Sequence, residues 1–195
     1  MQLDIVITGV GGQGNVLVSR ILAQVAMEAG YSIRTSEAIG MAQREGMVMS
    51  QVRLGNKLYG PLIPDGGADV LLGLELAETV RGLKKLKKSG VVIANEACIY
   101  PVSTALGMSN YQPQQIKNYL QQQVTNLHLL NASELAEKAG TAKATNIVML
   151  GALAKLGVLP ISHTDLLKGV LEMVPAKFKD INRTAFELGY HRVEV

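Results

Sequence analysis

The chain has 195 residues, of which 48% are hydrophobic and 18% are charged, and its formal net charge is +3. This length suits one well-packed domain and is too short for two domains of full size. The composition excludes a disordered chain, and the lack of any apolar run of 18 residues argues against a membrane span.

Few features of the composition favour nucleic-acid or metal binding. Aromatic residues make up 4% with no tryptophan, and positive charge gathers only at residues 81–90, a segment interpreted as a solvated helix end. The single cysteine, Cys98, cannot form an intramolecular disulfide, and one thiol with three widely spaced histidines predicts no metal site. No charged leader precedes the first apolar run, so we expect a cytoplasmic protein without nucleic-acid or membrane partners.

The first two thirds of the chain alternate predicted strands and helices. Residues 3–8, LDIVIT, form an apolar run typical of a buried parallel strand, and the apolar face that begins near Asn15 predicts a helix ended by Gly30. The pattern also predicts a helix near 77–88 and further strands at 31–36, 47–54, 69–76, 90–96 and 127–132. This alternation predicts a mostly parallel sheet in which the first two strands are neighbours.

The last third of the chain is predicted to be helical. Two residue pairs have the spacing of helix N-terminal caps, Asn131 with Glu134 and Ser162 with Asp165. A long apolar helix is expected over 141–157, and Pro175 is expected to start the last helix. We therefore predict a single α/β domain over residues 1–195, a Rossmann-like three-layer fold with a mostly parallel sheet and a helical C-terminal third.

A glycine-rich loop, GVGGQG at residues 9–14, follows the first strand. Its spacing Gly9-x-Gly11-x-x-Gly14 matches a dinucleotide fingerprint, in which glycines let the backbone approach a pyrophosphate at a helix N-terminus. Such a site also needs an acid at the end of the second strand, whereas here Glu37 comes beyond the predicted strand end. Three interpretations stay open: a nicotinamide site, a phosphate-binding loop, and a tight turn that needs glycine for packing.

Polar residues also gather after the second predicted strand, in the segment SEAIGMAQREG at 36–46. Gln43 and Arg44 belong to the sheet edge where open α/β folds bind ligands, although a solvated loop would have the same composition. If the first two strands are neighbours, the loops 9–14 and 37–46 should lie side by side. Arg44 is the stronger candidate, because a planar guanidinium can bind phosphate or carboxylate in two places.

Seven motifs of the chain, taken in order, resemble one family. They are GVGGQG, SRILA at 19–23, SEAIGMAQREG, RLG at 53–55, DVLLGLE, ATNIVMLGALA at 144–154 and KFKDINRTAFELGY at 177–190. Together they resemble, nearly end to end, the gamma segment of the 2-oxoacid:ferredoxin oxidoreductases, and in particular the small subunit of indolepyruvate-type enzymes. One departure is that the family commonly has two glycines after the arginine of the AQR element, where this chain has Glu45 and Gly46.

The resemblance implies a non-catalytic subunit of a complex that oxidatively decarboxylates a 2-oxo acid, reduces ferredoxin and releases an acyl-CoA. It implies thiamine pyrophosphate, iron–sulfur clusters and coenzyme A in the complex, larger catalytic subunits as partners, and no cofactor on this chain alone. We expect no catalytic residue here, and cofactor-binding contacts from Gly9, Gly11, Gly12, Gln13, Gly14, Gln43 and Arg44. The alternatives are a stand-alone NAD(P)- or flavin-dependent oxidoreductase on the same fold and a ligand-free scaffold protein.

Overall fold

The computed structural model describes residues 1–40, 46–100, 104 and 110–194 of the chain. The strands are β1 (Gln2–Val10), β2 (Ser32–Ile39), β3 (Met47–Gly55), β4 (Ala68–Gly73), β5 (Leu86–Asn95) and β6 (Asn126–Leu130). The helices of the described residues are α1 (Asn15–Glu28), α2 (Leu76–Gly82), α3 (Pro113–Gln123), α4 (Ala132–Ala139), α5 (Thr145–Lys155), α6 (His163–Met173) and α7 (Lys179–Arg192). Short 3-10 turns lead into α5 and α7 and follow α2.

The sheet has the strand order β2-β3-β1-β4-β5-β6. The pairs β1/β4, β4/β5 and β5/β6 are parallel, and β3 is antiparallel to both of its neighbours, β1 and β2. The predicted mostly parallel sheet is therefore confirmed, but the prediction that β1 and β2 are neighbours is wrong. The physical reason is the short segment between β2 and β3, which can close a hairpin but is too short for the crossover that parallel strands need.

Helices cover both faces of the sheet, as predicted for three layers. The sheet has a hydrophobic core on each face, and alternate residues of β1 point into the two cores. Ile5 and Ile7 belong to the larger core beneath α1 and α5, and Val6 belongs to the smaller core on the opposite face. Because β1 is buried on both sides, its sequence is almost continuously apolar.

The structure corrects the sequence predictions in two regions, residues 77–90 and 113–123. The helix predicted near 77–88 ends at Gly82, and β5 already begins at Leu86. The basic segment 81–90 therefore contains the end of α2, a 3-10 turn and the start of β5, and two of its lysines, Lys84 and Lys85, pair with Asp65. Helix α3 had not been expected, although Pro113 occupies its first turn, a favoured position for proline.

The C-terminal third is helical, as predicted, and its two cap signals are confirmed. The Asn131 side chain accepts from the backbone N–H of Glu134, and the Ser162 side chain accepts from that of Asp165. The long apolar helix begins at Thr145, four residues later than predicted, after a 3-10 turn. Pro175 precedes a similar turn, and α7 itself begins at Lys179.

Candidate functional site

The glycine-rich loop lies at the carboxyl end of β1, between this strand and α1. Gly9 is the penultimate residue of β1, and Gly12 and Gly14 both have positive φ, of 94° and 84°. Gly14 is the N-terminal cap residue of α1, with left-handed backbone geometry and no side-chain hydrogen bond. The loop thus presents backbone N–H groups and the positive end of a 14-residue helix, an arrangement suited to an anion.

The glycines of this loop are also needed for packing. A Cβ at Gly14 would lie 2.3 Å from Nδ2 of Asn146 in α5, and a Cβ at Gly9 would lie 2.7 Å from Oε1 of Gln13. Neither position can carry a side chain without movement of its neighbours. This supports the packing interpretation of the loop and leaves phosphate binding by its N–H groups as a compatible second role.

Gln13 ties the loop to the end of β4. Its Oε1 accepts from the backbone N–H of Val10 at 2.9 Å, and its Nε2 donates to the carbonyl oxygen of Leu74 at 3.0 Å. Since both ends of the amide are engaged within the protein, Gln13 holds the shape of the loop.

The hairpin between β2 and β3 reaches the same edge of the sheet. The backbone N–H of Gly11 donates to the carbonyl oxygen of Gly46 at 2.9 Å, so the last residue of the segment 37–46 lies beside the glycine-rich loop, although β3 and not β2 is the neighbour of β1. Gln43 and Arg44 lie outside the described residues, and their role stays a prediction from the sequence.

Glu37 is placed differently from the expectation. It belongs to β2 rather than to the segment beyond it. One carboxylate oxygen accepts from Oγ of Ser19 at 2.6 Å, and the other accepts from Oγ of Ser50. The acid therefore links β2 to α1 and β3.

Two cavities open at the carboxyl edge, and Ile99 lines both. The first, which we call the lysine cavity, has a volume of about 290 Å³ and is lined by Gly12, Gln13, Leu74, Ala97, Ile99, Ser133, Ala142, Lys143 and Thr145. Lys143 is the charged residue among them, and none of the ion pairs formed by the described residues involves it. The one charged side chain among the described residues that line this cavity is therefore a cation, which favours an anion. The sequence analysis did not single out Lys143, because nothing in the chain order links it to the first loop.

The second cavity, which we call the acidic cavity, has a volume of about 220 Å³. Its lining residues are Val10, Met47, Glu75, Ala77, Glu78, Arg81, Ile99 and Tyr111. Glu75 caps α2 by accepting from the backbone N–H of Glu78 at 2.9 Å, and it also accepts from the Tyr111 hydroxyl at 2.5 Å. Burial and this contact with Glu75 raise the pKa of Tyr111 far above its ordinary value, so the phenol remains a neutral donor.

Glu78 is the unusual group of the acidic cavity. The residue is only 3% exposed, and one of its carboxylate oxygens pairs with Arg81 while Oε2 has no hydrogen-bond partner among the described residues. Burial raises the pKa of Glu78, an effect that the charge of Arg81 opposes and that of Glu75 reinforces. A buried carboxylate oxygen without a donor is costly to the folded chain.

This raised pKa gives the stability of the chain an expected pH dependence. The folded chain holds the Glu78 proton more tightly than the unfolded chain, so the stabilisation is complete at low pH and is lost as the pH rises from about 4.5 through the raised folded pKa. With increasing pH, the melting temperature of the wild-type chain should fall relative to that of Glu78→Gln, in which Arg81 and Glu75 are retained. Parallel curves for the two proteins between about pH 4.5 and 7.5 would contradict the assignment.

The packing role of the glycine loop predicts unequal effects of two substitutions. Gly12→Ala meets nothing within 4 Å, so it should cost only the strain of positive φ, about 1 kcal/mol. Gly14→Ala adds a clash with Asn146 and should cost about 2–3 kcal/mol in all. Chemical denaturation of the purified variants measures both values. Equal losses of unfolding free energy in the two variants would show that the Asn146 side chain moves aside without an energetic cost.

The described residues contain no group of three or more histidine, cysteine, aspartate or glutamate side chains arranged to hold a metal ion. The thiol of Cys98 has its pKa raised, chiefly by burial. Within the same described part of the chain, no helix is both long and apolar enough to cross a bilayer.

The fold and its carboxyl-edge loops define an α/β domain with a glycine-rich loop between its first strand and first helix. Residues 4–192 match the family model described as "Pyruvate ferredoxin/flavodoxin oxidoreductase". The chain belongs to this family.

Known relatives match along nearly the whole chain. It is 41% identical to indolepyruvate oxidoreductase subunit IorB of Archaeoglobus fulgidus, over 98% of this chain and 96% of the relative. The IorB of Pyrococcus horikoshii is 38% identical over 96% of this chain and 94% of its own length. Identity to the pyruvate synthase subunit PorC of Methanothermobacter marburgensis is 28%, with 98% of both chains covered.

A solved structure has the same fold. The gamma subunit of a keto/oxoacid ferredoxin oxidoreductase from Geobacter sulfurreducens superposes with a TM-score of 0.71 and 27% identity, covering 97% of both chains. The family resemblance and the predicted Rossmann-like α/β fold are thereby confirmed.

Proposed function

We propose that this chain is the non-catalytic, gamma-type subunit of a 2-oxoacid ferredoxin oxidoreductase. The observation that carries the proposal is the near-complete overlap with IorB, at up to 41% identity over 98% of the chain. Larger catalytic subunits would carry the thiamine pyrophosphate and the iron–sulfur clusters, since this chain has one cysteine in all. We also propose a cytoplasmic location for the complex, as the sequence analysis expects.

Indolepyruvate is the 2-oxo acid that we propose for the complex. The support is the difference in identity between the IorB relatives, at 38% and 41%, and PorC, at 28%. In the proposed reaction the 2-oxo acid loses carbon dioxide, two electrons pass to ferredoxin, and the acyl group is transferred to coenzyme A.

The lysine cavity is the part of this chain that we propose to meet coenzyme A. Its contacts would be the cation of Lys143 and the backbone N–H of Gly12 in the loop, which suit a phosphate. From the sequence, Gln43 and Arg44 would add contacts from the neighbouring hairpin. In this proposal Gly9, Gly11 and Gly14 shape the loop.

Reconstitution with the catalytic subunit tests the proposed function. The catalytic subunit produced without this chain is expected to show little oxidation of indolepyruvate with ferredoxin, and addition of the purified chain should restore it. The chain alone should show no activity. Turnover of NAD(P)H by the chain alone, or an undiminished activity of the catalytic subunit without it, would contradict the proposal.

A further inference from the structure

The acidic cavity contains a hydrogen-bond acceptor that nothing in the described chain uses. Glu75 is engaged by the Tyr111 hydroxyl, by the backbone N–H of Glu78 and, at 3.4 Å, by that of Ile99. Glu78 lines the cavity and shares one carboxylate oxygen with Arg81, while its buried Oε2 has no donor among the described residues. The site therefore lacks one hydrogen-bond donor.

The charge of the cavity selects the kind of donor. Two carboxylates, Glu75 and Glu78, lie against one guanidinium, and the side chain of Arg81 is itself 59% exposed at the cavity mouth. An ionised carboxylate only accepts hydrogen bonds, so a cationic N–H donor is favoured over a neutral one. Arg81 leaves the negative charge incompletely balanced.

The size of the acidic cavity and its apolar lining residues indicate which kind of group would carry the cation. Val10, Met47, Ala77 and Ile99 supply an apolar wall in a cavity of about 220 Å³. Lysine and arginine side chains have apolar stems that pack against such walls and place their charged group at the end. The cavity also opens on the carboxyl edge that carries the glycine-rich loop, the surface with which we expect the catalytic subunit to make contact.

We propose that the acidic cavity receives a lysine or arginine side chain of the catalytic subunit, whose cation pairs with the Glu78 carboxylate. The inference rests on the proposed function, because it needs a partner chain. The contact completes a buried acceptor on assembly, and Arg81 competes with the incoming cation for the same carboxylate. This cavity is separate from the lysine cavity, which we assign to an anion.

The test is the affinity of the purified complex, measured by dilution in mass photometry at two salt concentrations. Glu78→Gln keeps the shape of the side chain and should raise the dissociation constant at least about tenfold, with a weaker dependence on salt. Glu172→Gln in α6 is the matched control, since it removes one negative charge at an exposed position that does not line the cavity, and it should stay within about twofold of wild type.

A second variant separates recognition from folding. Arg81→Gln removes the competing cation, so the dissociation constant should be unchanged or lower than that of the wild-type complex. If Glu78→Gln and Arg81→Gln weaken the complex equally, their ion pair is structural and the proposal is overturned. An unchanged affinity in Glu78→Gln also overturns it, and a changed KM for substrate with unchanged affinity would assign the cavity to a small molecule.

Failure of the proposed function itself has a different signature. The wild-type chain would then not associate with the catalytic subunit at any salt concentration, and both proposals would be contradicted together. If the wild-type chain associates and Glu78→Gln binds with the same affinity, only the assignment of the acidic cavity is contradicted.

Discussion

Replacement of Gly189 by alanine is expected to lower the melting temperature of the chain by roughly 6–12 °C, from a loss of about 3 kcal/mol and a shift of about 2–4 °C per kcal/mol in a chain of this size. Helices α5 and α7 cross at this residue. A Cβ at Gly189 would lie 1.9 Å from the carbonyl oxygen of Val148, and a Cβ at Gly151 would lie 2.0 Å from that of Phe186. Because both obstacles are backbone atoms, the added methyl group forces the helices apart.

Gly169→Ala in α6 is the matched control for this prediction. Its Cβ would also meet a close neighbour, Cγ2 of Val25 at 2.1 Å, but the next atom of that residue is 3.6 Å away. A rotation of the valine side chain can relieve this contact, so the loss should be clearly smaller than for Gly189→Ala. Both variants gain the same helix propensity from alanine. Similar melting temperatures for the two variants would contradict the close crossing of α5 and α7.

Substitution of Lys143 by alanine is expected to raise the KM of the reconstituted complex for coenzyme A by at least about tenfold. A hydrogen bond to a charged group contributes about 1.5–3 kcal/mol, and 1.4 kcal/mol is a factor of ten. Lys143 lines the lysine cavity beside Gly12 and Gln13, and it lies in the 3-10 turn that leads into α5, away from the core. Its removal should therefore leave the melting temperature unchanged.

Lys138→Ala is the control, because it removes one exposed lysine from α4 that pairs with Glu134 and does not line the cavity. The kinetic constants of this variant should equal those of the wild-type complex. An unchanged KM for coenzyme A in Lys143→Ala would show that the lysine cavity binds a different anion.

Arg44 is the candidate predicted from sequence. The variant Arg44→Ala should raise the KM for coenzyme A or weaken assembly of the complex, and it should still fold. An unchanged KM and unchanged assembly in Arg44→Ala would show that its loop is only a solvated edge of the sheet.

The sequence predicted the parts of the fold that follow from local patterns. The continuous apolar run of β1 and the cap pairs at Asn131 and Ser162 each depend on a few neighbouring residues, and all were confirmed. The position of β3 depends instead on pairing between distant strands. The short interval between the strands predicted at 31–36 and 47–54 was the signal that could have shown it, because a parallel crossover needs about a dozen residues or more.

The site was predictable to a smaller extent. The glycine loop could be found from its spacing, and the contact of Gly11 with Gly46 places it beside the end of the polar segment predicted at 36–46. Lys143 and Glu78 could not be found in this way. They come from a turn and a helix far from the loop in sequence, and only the packing of α2 and α5 on the sheet brings them to the same edge.

The most direct test of the account is hydrogen exchange of this chain, free and in complex with the catalytic subunit. Assembly through the carboxyl edge predicts slower exchange at residues 11–14, 75–81 and 96–99 in the complex, and unchanged exchange at the opposite edge, around Gly30 and Gly66. Protection confined to the region of Gly30 and Gly66, with residues 11–14 and 75–81 exchanging as in the free chain, would contradict it.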